Sequence, residues 1–534
     1  MHPNPGLAQC YDAWEEELEG DVDRAFLLHG ISHGFDIVDP NAIPTPVETP
    51  NHKSARPGAP LYDLATQQVI SEIEQGNYLV CIDKPLVVSP FAALPKPDGG
   101  VRLIHDGSQP VGSSMNDYAH LDEHYRFQTI DDAAKLMAPG WYMAKVDLKS
   151  AYRSVPISPH SQQFTGLKWQ FGGGVVYFKD CKLPFGSKLA PGIFHRLTQS
   201  VKRMMAKRGF TCMVVYLDDF LLLAPTQAEC QRAQTVLIQL LRKLGFQISW
   251  KKVIDPTQCI RFLGIELDTI AMCLQLPHDR LFQIRNELLA FSQRHRATKR
   301  QLQSLTGKLN WAAAVVYGGR VFLRRIIDLT NTLQHKADRV RLSSEMQYDI
   351  AWWLQFMQIF NGKSALLDKQ PITTVHVDAC MAGCGGVYGR DWFYCNWALD
   401  WPTASDLHIN YKELLALVVA ATRWAPLWTN KRIYIMSDNQ AAVGMLNRGT
   451  AKHPLVMHAL RWLFWLSAIH NFHLTSCYIP GVQNIAADSA SRLLEPDQPT
   501  RLLEHLPVLC YPIPPQHTPV PPHFSNLVGL HCCR

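Results

Sequence analysis

Short apolar runs and helix-period segments alternate through the first half of the chain. Apolar residues at helical spacing predict a helix over residues 191–206, between stretches rich in β-branched and aromatic residues. Those stretches predict strands at residues 86–89, 101–105, 142–146, 175–178, 212–216 and 220–224. Strands that are interleaved with helices predict an α+β domain in this region.

A second region of similar pattern follows residue 370. Helical spacing predicts a helix at residues 411–424 and another that begins at Asp488. Strand-like runs lie at residues 373–378, 392–397 and 432–437. This order, with strands first and then helix alternating with strand, predicts a second, independent α+β unit.

The two ends of the chain differ from these regions. Residues 1–85 combine acidic helical segments, at 14–18 and 64–74, with a proline-broken stretch, which predicts an extension packed on the following domain. After Glu495 the chain carries nine prolines in 39 residues, a composition typical of an irregular tail. The expected divisions are residues 1–85, 86–275, 276–369, 370–495 and 496–534.

The composition argues against a disordered or membrane-spanning chain. Its 534 residues are 47% hydrophobic and 18% charged, which is enough to build several cores. The longest uninterrupted apolar run, residues 414–421, is far shorter than the roughly 20 residues of a membrane-spanning helix. Acidic residues 15–17 lie where a secretory signal needs basic residues and then an apolar stretch. We expect an intracellular protein with no membrane partner.

The fourteen cysteines contain no CxxC pair and are typical of buried thiols in a reducing compartment. One group, His376, Cys380, Cys384 and Cys395, contains zinc-binding residue types. A second close pair is missing, so we expect free thiols rather than a structural zinc site.

The net charge of +6 says little about partners, but its distribution says more. Between residues 280 and 325 a single acid, Glu287, is outnumbered by ten basic residues. They are Arg280, Arg285, Arg294, Arg296, Lys299, Arg300, Lys308, Arg320, Arg324 and Arg325. This imbalance favours contact with nucleic-acid phosphates over the alternative, the solvated face of a helical bundle.

Three aspartates follow predicted strands of the first region. Asp218 and Asp219 lie between the strands predicted at 212–216 and 220–224, in the turn of a hairpin, and Asp147 ends the strand predicted at 142–146. If these strands are neighbours, the acids can hold two divalent ions, as in-line phosphoryl transfer requires. Mg²⁺ fits such ligands best, with Mn²⁺ as an alternative, whereas a lone turn aspartate would be only structural.

Four further acids lie at the ends of elements predicted in the second region. Asp378 lies in a strand, and Glu413 is expected at the exposed beginning of a helix. Asp438 ends a strand, and Asp488 is expected to begin the last helix. This placement again predicts a pair of ions. The alternatives are first-turn acids favoured by the helix dipole, for Glu413 and Asp488, and an N-cap, for Asp438.

Ordered motifs in the first region resemble the palm of a reverse transcriptase. They are VDLKSAY around Asp147, LPFGSKLAPGIF at 183–194, YLDD at 216–219, GFQISWKK at 245–252 and FLG at 262–264. The resemblance covers residues 86–275 and implies a right-hand polymerase with fingers, palm and thumb. It also implies that Asp147, Asp218 and Asp219 are catalytic metal ligands, with Asp147 and Asp218 the direct ones.

The same resemblance implies contacts with the incoming nucleotide. Tyr152 matches an aromatic gate that would clash with a 2′-hydroxyl and so favour deoxynucleotides, although a core tyrosine is the alternative. Phe185 and Gly186 match the loop that lies against the nascent base pair. Retroviral enzymes commonly have Gln in place of this Phe, which leaves fine nucleotide discrimination open.

Basic residues complete the implied polymerase site. Residues 91–106 resemble the fingers hairpin, in which Lys96 and Arg102 would hold the triphosphate unless they are ordinary surface charges. Lys251 and Lys252 lie where the family has a lysine proposed to protonate pyrophosphate, although surface lysine pairs are common.

The second carboxylate set resembles that of a ribonuclease H-like α/β domain, over residues 370–495. The resemblance implies that Asp378, Glu413, Asp438 and Asp488 hold two further ions and cut RNA in an RNA–DNA hybrid. Asn484 would orient that region, while residues 478–483 lack the His that many relatives carry there. The basic segment 276–369 would then be thumb and connection.

Polymerase and nuclease together imply an enzyme that copies RNA into DNA and removes the template. The implied partners are an RNA template, a DNA primer, RNA–DNA hybrid, deoxynucleoside triphosphates and other proteins of the same element. The motifs most resemble retrotransposons of the DIRS type, which encode a tyrosine recombinase, with Gypsy-like elements second. The alternatives are a domesticated, inactive nucleic-acid-binding protein and an RNA-directed RNA polymerase, which Tyr152 and the nuclease domain disfavour.

Overall fold

The computed structural model describes residues 6–96, 99–120, 125–316, 318–359, 362–365 and 372–495. The chain divides into two units, Met1–Leu263 and Gly264–Arg534, each built from both helices and strands. The expected α+β multidomain class is confirmed. The tail expected at residues 496–534 lies outside the described residues.

The first unit contains the helix and the strands that the hydrophobic pattern predicts. Its helices are Tyr11–Glu17, Arg24–His33, Tyr62–Glu74, Ile130–Leu136, Ala190–Lys207 and Gln227–Lys243. Its strands are Val47–Glu48, Tyr78–Val80, Val87–Val88, Phe91–Pro95, Val101–His105, Tyr142–Asp147, Gly166–Phe171, Gly174–Asp180, Met213–Tyr216, Asp219–Ala224, Ile254–Thr257 and Cys259–Phe262.

A four-stranded antiparallel sheet forms the centre of this unit. Its strand order is Ile254–Thr257, Tyr142–Asp147, Asp219–Ala224 and Met213–Tyr216. Residues 220–224 are all buried, which explains why this strand is a continuous apolar run rather than an alternating one. The long helices Ala190–Lys207 and Gln227–Lys243 contribute their apolar faces to the same core.

The N-terminal segment is part of that core. Trp14 is fully buried, its Nε1 donates to the carbonyl oxygen of Leu244 at 2.9 Å, and its ring packs edge-on against Phe246. Acidic residues of the segment pair with basic residues of the long helices, as in the Arg203–Asp21 contact of 2.7 Å. Residues 6–38 therefore complete the polar and apolar packing of the first unit.

A second sheet and a separate hairpin complete the first unit. The five-stranded sheet has the order Val47–Glu48, Val87–Val88, Gly166–Phe171, Gly174–Asp180 and Tyr78–Val80. The hairpin pairs Phe91–Pro95 with Val101–His105 and packs through Phe91 onto Trp169 and Phe178 of that sheet.

The second unit begins with a mainly helical part and ends in a mixed sheet. Its helices are His278–Ser292, Lys299–Ala312, Arg324–Asn331, Ser344–Ile359, Trp397–Asp400, Ile409–Trp424, Gln440–Arg448, Pro454–His470 and Ile485–Ser491. Its strands are Ile265–Asp268, Cys273–Gln275, Arg296–Thr298, Arg339–Arg341, Lys363–Ala365, Ile372–Ala379, Gly383–Tyr388, Asp391–Asn396, Arg432–Ser437 and His473–Tyr478.

The mixed sheet has five strands. Its order is Asp391–Asn396, Gly383–Tyr388, Ile372–Ala379, Arg432–Ser437 and His473–Tyr478, with the last two strands parallel to Ile372–Ala379. The helix Ile409–Trp424 packs on this sheet and is buried over residues 412–421, so it is apolar on nearly all sides.

Among the described residues, the cysteines form no disulfide bond. Cys380, Cys384 and Cys395 are buried as expected, but Cys259 is exposed because it lies on the outward face of an alternating strand. Within the described part of the chain, no helix is long and apolar enough to cross a membrane.

Candidate functional site

The first carboxylate group is built on the hairpin between Met213–Tyr216 and Asp219–Ala224. Tyr216 pairs with Asp219, which leaves Leu217 and Asp218 as a two-residue loop. Leu217 has φ +50°, the positive value that the first loop residue of a type II′ turn needs. The strained, tight turn fixes the position of Asp218 at the end of the sheet.

Asp147 meets this turn from the neighbouring strand. It lies directly opposite Asp219 in the antiparallel register, and the amide of Leu148 donates to the carbonyl oxygen of Asp218 at 3.2 Å. Antiparallel partners of this kind have Cα atoms about 4.5–5.5 Å apart. The structure therefore brings Asp147, Asp218 and Asp219 together, with Asp219 rather than Asp218 directly across from Asp147.

Burial dominates the electrostatics of this group. The pKa of Asp147 is raised to about 6, mainly by burial and then by the neighbouring Asp219, while Lys252 opposes the shift from 3.1 Å. Burial also raises the pKa of Asp218, and the charge of Asp219 adds to the effect. Carboxylates that repel one another in a partly buried site are stabilised by bound cations.

Lys145 is a residue that the sequence analysis missed. Its Nζ lies 2.8 Å from Asp219 Oδ1, and both side chains are mostly buried. Lys145 precedes Asp147 by two positions on the same strand, so both side chains leave the same face of the sheet. That period-two spacing is the signal that could have identified it.

The residues expected to contact the nucleotide surround Tyr152. Its ring stacks on Phe185 with centroids 5.1 Å apart, and Phe185 is 65% exposed. Burial and the neighbouring carboxylate of Asp218 raise the pKa of Tyr152. A Cβ on Gly186 would overlap the carbonyl oxygen of His105, so only glycine fits there. Tyr152 is thus only partly in the core, with one side of its ring turned to an exposed phenylalanine.

The basic residues expected at this site separate into two groups. Lys252 contacts Asp147, whereas Lys251 is exposed on the same short turn. Lys96 and Arg102 lie on the Phe91–Pro95 and Val101–His105 hairpin, where both are exposed. Of these four expected residues, Lys252 is the one that contacts a carboxylate of the group, in addition to Lys145, which was not expected.

The second carboxylate group lies in the mixed sheet. Asp378, Glu413 and Asp438 each place one carboxylate oxygen within 4.8 Å of the others. Asp378 comes from the central strand, and Asp438 follows the strand Arg432–Ser437, which is parallel to it. Carboxyl ends of parallel strands meet at one edge of a sheet, which explains this convergence.

Glu413 corrects one expectation. The helix begins at Ile409, after the N-cap His408, so Glu413 is its fifth residue and only 4% exposed rather than at an exposed beginning. Burial raises its pKa to about 9, with Asp378 and Asp438 adding to the shift. Burial likewise raises the pKa of Asp378 to about 7. Glu413 is therefore not a first-turn acid serving the helix dipole.

Asp438 differs from its sequence-based alternative, whereas Asp488 does not. Asn439, not Asp438, is the N-cap of the next helix, because its side chain accepts from the amide of Ala442. The last helix begins at Ile485 rather than at Asp488, and Asp488 is an acid of its first turn, as the alternative had it. The carboxylate of Asp488 accepts from Arg492 Nε at 2.7 Å and is not part of the group of three.

Polar residues around the second group hold its members in place. Ser491 Oγ donates to Asp378 Oδ2 at 2.6 Å, and Asn484 Nδ2 donates to the carbonyl oxygen of Val377 at 2.8 Å. Asn484 is thus a buried bridge between the loop and the central strand. Ser491 and Arg492 were missed by the sequence analysis, because serine and arginine after a helical acid are common on any surface.

Part of the basic segment is neutralised internally. Lys308 pairs with Glu287, Arg324 with Asp328, and Arg325 with the buried Asp349. Lys299 donates to the carbonyl oxygen of Leu333, and Arg285 to that of Met357. The other basic residues are exposed: Arg280, Arg294, Arg296, Arg300 and Arg320.

Comparison with known families bears on the central part of the chain. Residues 94–267 match the family model for reverse transcriptase (RNA-dependent DNA polymerase). These residues are similar to a reverse transcriptase domain. The matched range includes Asp147, Asp218 and Asp219 and lies within the expected residues 86–275.

Relatives of this chain are viral and transposon polyproteins. Polyprotein P3 of Commelina yellow mottle virus is 25% identical over 374 residues, 66% of this chain and 18% of the relative. The enzymatic polyprotein of carnation etched ring virus is 24% identical, covering 70% and 54%. The transposon Tf2-3 polyprotein of Schizosaccharomyces pombe is 21% identical, covering 81% and 31%. The chain spans about half or less of the length of these relatives.

Solved structures share the fold of this chain. The foamy viral protease-reverse transcriptase in complex with double-stranded DNA matches with a TM-score of 0.52 and 17% identity, covering 88% of this chain and 81% of that chain. The same protein in complex with RNA/DNA hybrid matches with a TM-score of 0.51 and 16% identity, covering 88% and 62%.

Proposed function

We propose that the chain is an RNA-directed DNA polymerase with RNA–DNA hybrid ribonuclease activity, encoded by a retrotransposon. The observation that carries the proposal is the register of Asp147 opposite Asp219, with Asp218 in the adjoining turn, inside the reverse transcriptase domain. The group of Asp378, Glu413 and Asp438 supports a separate nuclease site in the second unit.

Both carboxylate groups fit Mg²⁺. Glu413 Oε2 is buried and has no hydrogen-bond partner among the described residues, and burial opposes the charge of every member of its group. Asp147, Asp218 and Asp219 would hold the ions of the polymerase site, and Asp378, Glu413, Asp438 and Asp488 those of the nuclease site. When bound, the ions activate the attacking hydroxyl or water and neutralise charge on the reacting phosphate.

The other residues of the polymerase site position the substrates. Lys96 and Arg102, exposed on a two-stranded hairpin, would bind the triphosphate, and Tyr152 would exclude a 2′-hydroxyl with its ring. Phe185 would support that ring through the observed stacking. The ammonium group of Lys252 lies beside Asp147. From there Lys252 would donate a proton to the leaving pyrophosphate.

Template and product are the proposed partners. The foamy viral protein of the same fold was solved with double-stranded DNA and with RNA/DNA hybrid, which supports RNA template, DNA primer and hybrid as ligands of this chain. The motifs LPFGSKLAPGIF at 183–194 and HINYKELLAL at 408–417 favour an element of the DIRS type, with other proteins of the element as further partners.

Primer extension on an RNA template tests both sites at once. Asp218→Asn should lower DNA synthesis by at least about hundredfold while hybrid cleavage continues, because it weakens one metal group only. Asp438→Asn should do the reverse. If both variants retained wild-type rates, both site assignments would be wrong. A wild-type protein that bound hybrid but incorporated no nucleotide with Mg²⁺ would instead indicate a domesticated binding protein.

A further inference from the structure

Two short strands of the second unit form an antiparallel ribbon with arginines on one face. We call Arg296–Thr298 and Arg339–Arg341 the arginine ribbon. Arg296 pairs directly with Arg341, and Thr298 pairs with Arg339. Since side chains alternate along a strand, the arginines share one face while Ala297 and Val340 occupy the other. Ala297 is 2% exposed, whereas Arg296, Arg339 and Arg341 are all exposed.

The arginine ribbon carries charge that the described residues do not neutralise. Like charges directly opposite each other on a ribbon are destabilising. Within the described chain, Arg296, Arg339 and Arg341 form no ion pair, and the adjacent acid, Asp338, accepts from the amides of Gln334 and His335. An anion from outside the chain would remove this repulsion.

The arginine ribbon is held firmly in spite of its short strands. The amide of Leu342 donates to the carbonyl oxygen of His295 at 2.9 Å, and that of Lys299 to Asp338 at 3.0 Å. Thr298 also caps the helix Lys299–Ala312, accepting from the amide of Gln301 while its own amide donates to that side chain. The arginines therefore start from a fixed backbone, which lowers the entropy that binding must overcome.

An open cleft of about 1030 Å³ adjoins the arginine ribbon. Arg294, His295 and Arg341 line it together with the hydroxyls of Ser343 and Ser344. Ser344 begins the 16-residue helix Ser344–Ile359, so the positive end of this helix dipole lies at the cleft, although the amide of Met346 already donates to Ser343 Oγ at 3.2 Å. Arginine forks and hydroxyls are donors that bind phosphate groups in proteins, and a helix dipole adds favourable charge.

We propose that the arginine ribbon and this cleft bind successive backbone phosphates of the RNA–DNA duplex. This identification of the ligand as a hybrid rests on the proposed function. Arg339 and Arg341 are two residues apart, about 6.8 Å along the strand, so they can reach different phosphates rather than share one. The exposed face carries arginine and threonine without an aromatic ring, whereas proteins that bind single strands stack bases on aromatic side chains.

Salt-dependent binding of the full-length protein tests the proposal. A labelled RNA–DNA hybrid is titrated by fluorescence anisotropy in EDTA, from 50 to 200 mM salt, so that neither proposed activity contributes. Arg296→Gln with Arg341→Gln should weaken binding at least about fivefold and reduce the slope of log K against log salt by about 2, because each lost phosphate contact removes about 0.9.

Matched variants make the result specific. Arg232→Gln with Arg242→Gln removes the same charge from exposed positions of the helix Gln227–Lys243 and should bind as wild type does. Arg296→Lys with Arg341→Lys should restore most of the slope. If the double glutamine variant does not fold, Arg339→Gln alone should reduce the slope by about 1.

Three results would overturn the proposal: an unchanged slope in the glutamine variants, an equal loss in the Arg232 and Arg242 control, or an equal loss for single-stranded RNA. Failure of the proposed function shows differently. If the wild-type protein showed no primer extension but the salt slopes of all variants were as expected, the proposed polymerase activity would be wrong. The proposed phosphate site would still be supported.

Discussion

The ring of Tyr152 packs partly against the core and partly against the exposed Phe185, beside the proposed nucleotide site. Tyr152→Ala should raise the efficiency of ribonucleotide over deoxynucleotide incorporation by roughly tenfold or more, because the 2′-hydroxyl would no longer meet the ring. Single-nucleotide extension with each substrate measures the ratio. Tyr152→Phe keeps the ring and the stack on Phe185, so it should discriminate as wild type does. A ratio unchanged in the alanine variant would make Tyr152 a core tyrosine only.

His105 makes the first unit sensitive to acid. Burial, together with the charge of Arg153, lowers its pKa from 6.5 to about 3, and neither ring nitrogen has a partner among the described residues. Between pH 6.5 and 3 the unfolded chain therefore binds a proton that the folded chain does not. This contribution to stability is present above pH 6.5 and is lost as the pH falls toward 3.

His105→Leu should accordingly lose less stability than wild type between pH 7 and pH 5. Urea unfolding at each pH measures the difference, with His52→Leu as a control, since His52 is an exposed histidine. Parallel curves for wild type and His105→Leu would show that His105 is not the group responsible.

At the scale of elements, the helix Tyr11–Glu17 belongs to the first unit. Trp14→Ala should lower the free energy of unfolding of this unit by about 3–5 kcal/mol, because it empties a fully buried site and leaves the carbonyl oxygen of Leu244 without its donor. Urea unfolding monitored by circular dichroism gives the value. Val22→Ala, at a position 86% exposed, should stay within about 0.5 kcal/mol of wild type. Equal effects of the two substitutions would place Trp14 outside the core.

Period and turn chemistry were enough to predict the strands that end beside Asp147, Asp218 and Asp438, because each is a short apolar run followed by an acid. Glu413 shows the limit of that reasoning. Residues 414–421 are apolar throughout, so the pattern did not define which side of the helix is buried, and the helix begins at Ile409, two residues before its predicted start.

Ion pairs between distant residues could not be predicted from the sequence for a different reason. Lys145 reaches Asp219 and Arg461 reaches Asp349 only because of strand register and helix packing. The same holds for the arginine ribbon, since nothing in the sequence pairs Arg296 with Arg341 across about 45 residues. Contacts of this kind depend on topology, which a single sequence does not state.

At the scale of the whole molecule, each carboxylate group belongs to a separate unit with its own sheet. Asp147, Asp218 and Asp219 lie in Met1–Leu263, and Asp378, Glu413 and Asp438 lie in Gly264–Arg534. The amino-terminal helices of the second unit belong to the same unit as the five-stranded mixed sheet. Loss of stability in these helices should therefore spread toward that sheet.

The buried Asp349 allows this spread to be measured. It accepts from Arg325 at 3.2 Å and lies 3.3 Å from Arg461, which joins the helix Ser344–Ile359 to the helix Pro454–His470. Asp349→Ala should cost about 3–5 kcal/mol, because Arg461 would remain buried without its counterion.

Hydrogen exchange locates the effect of Asp349→Ala. Amides of Ser344–Ile359 and Pro454–His470 should lose protection, while those of Tyr142–Asp147 and Asp219–Ala224 keep it. Asp328→Ala removes the exposed partner of Arg324 and should change protection little, since exposed pairs one helical turn apart contribute about 0.3–0.5 kcal/mol. Two results would contradict the idea that buried charges stabilise the second unit independently. In one, Asp349→Ala lowers amide protection equally in both units. In the other, it lowers protection no more than Asp328→Ala does.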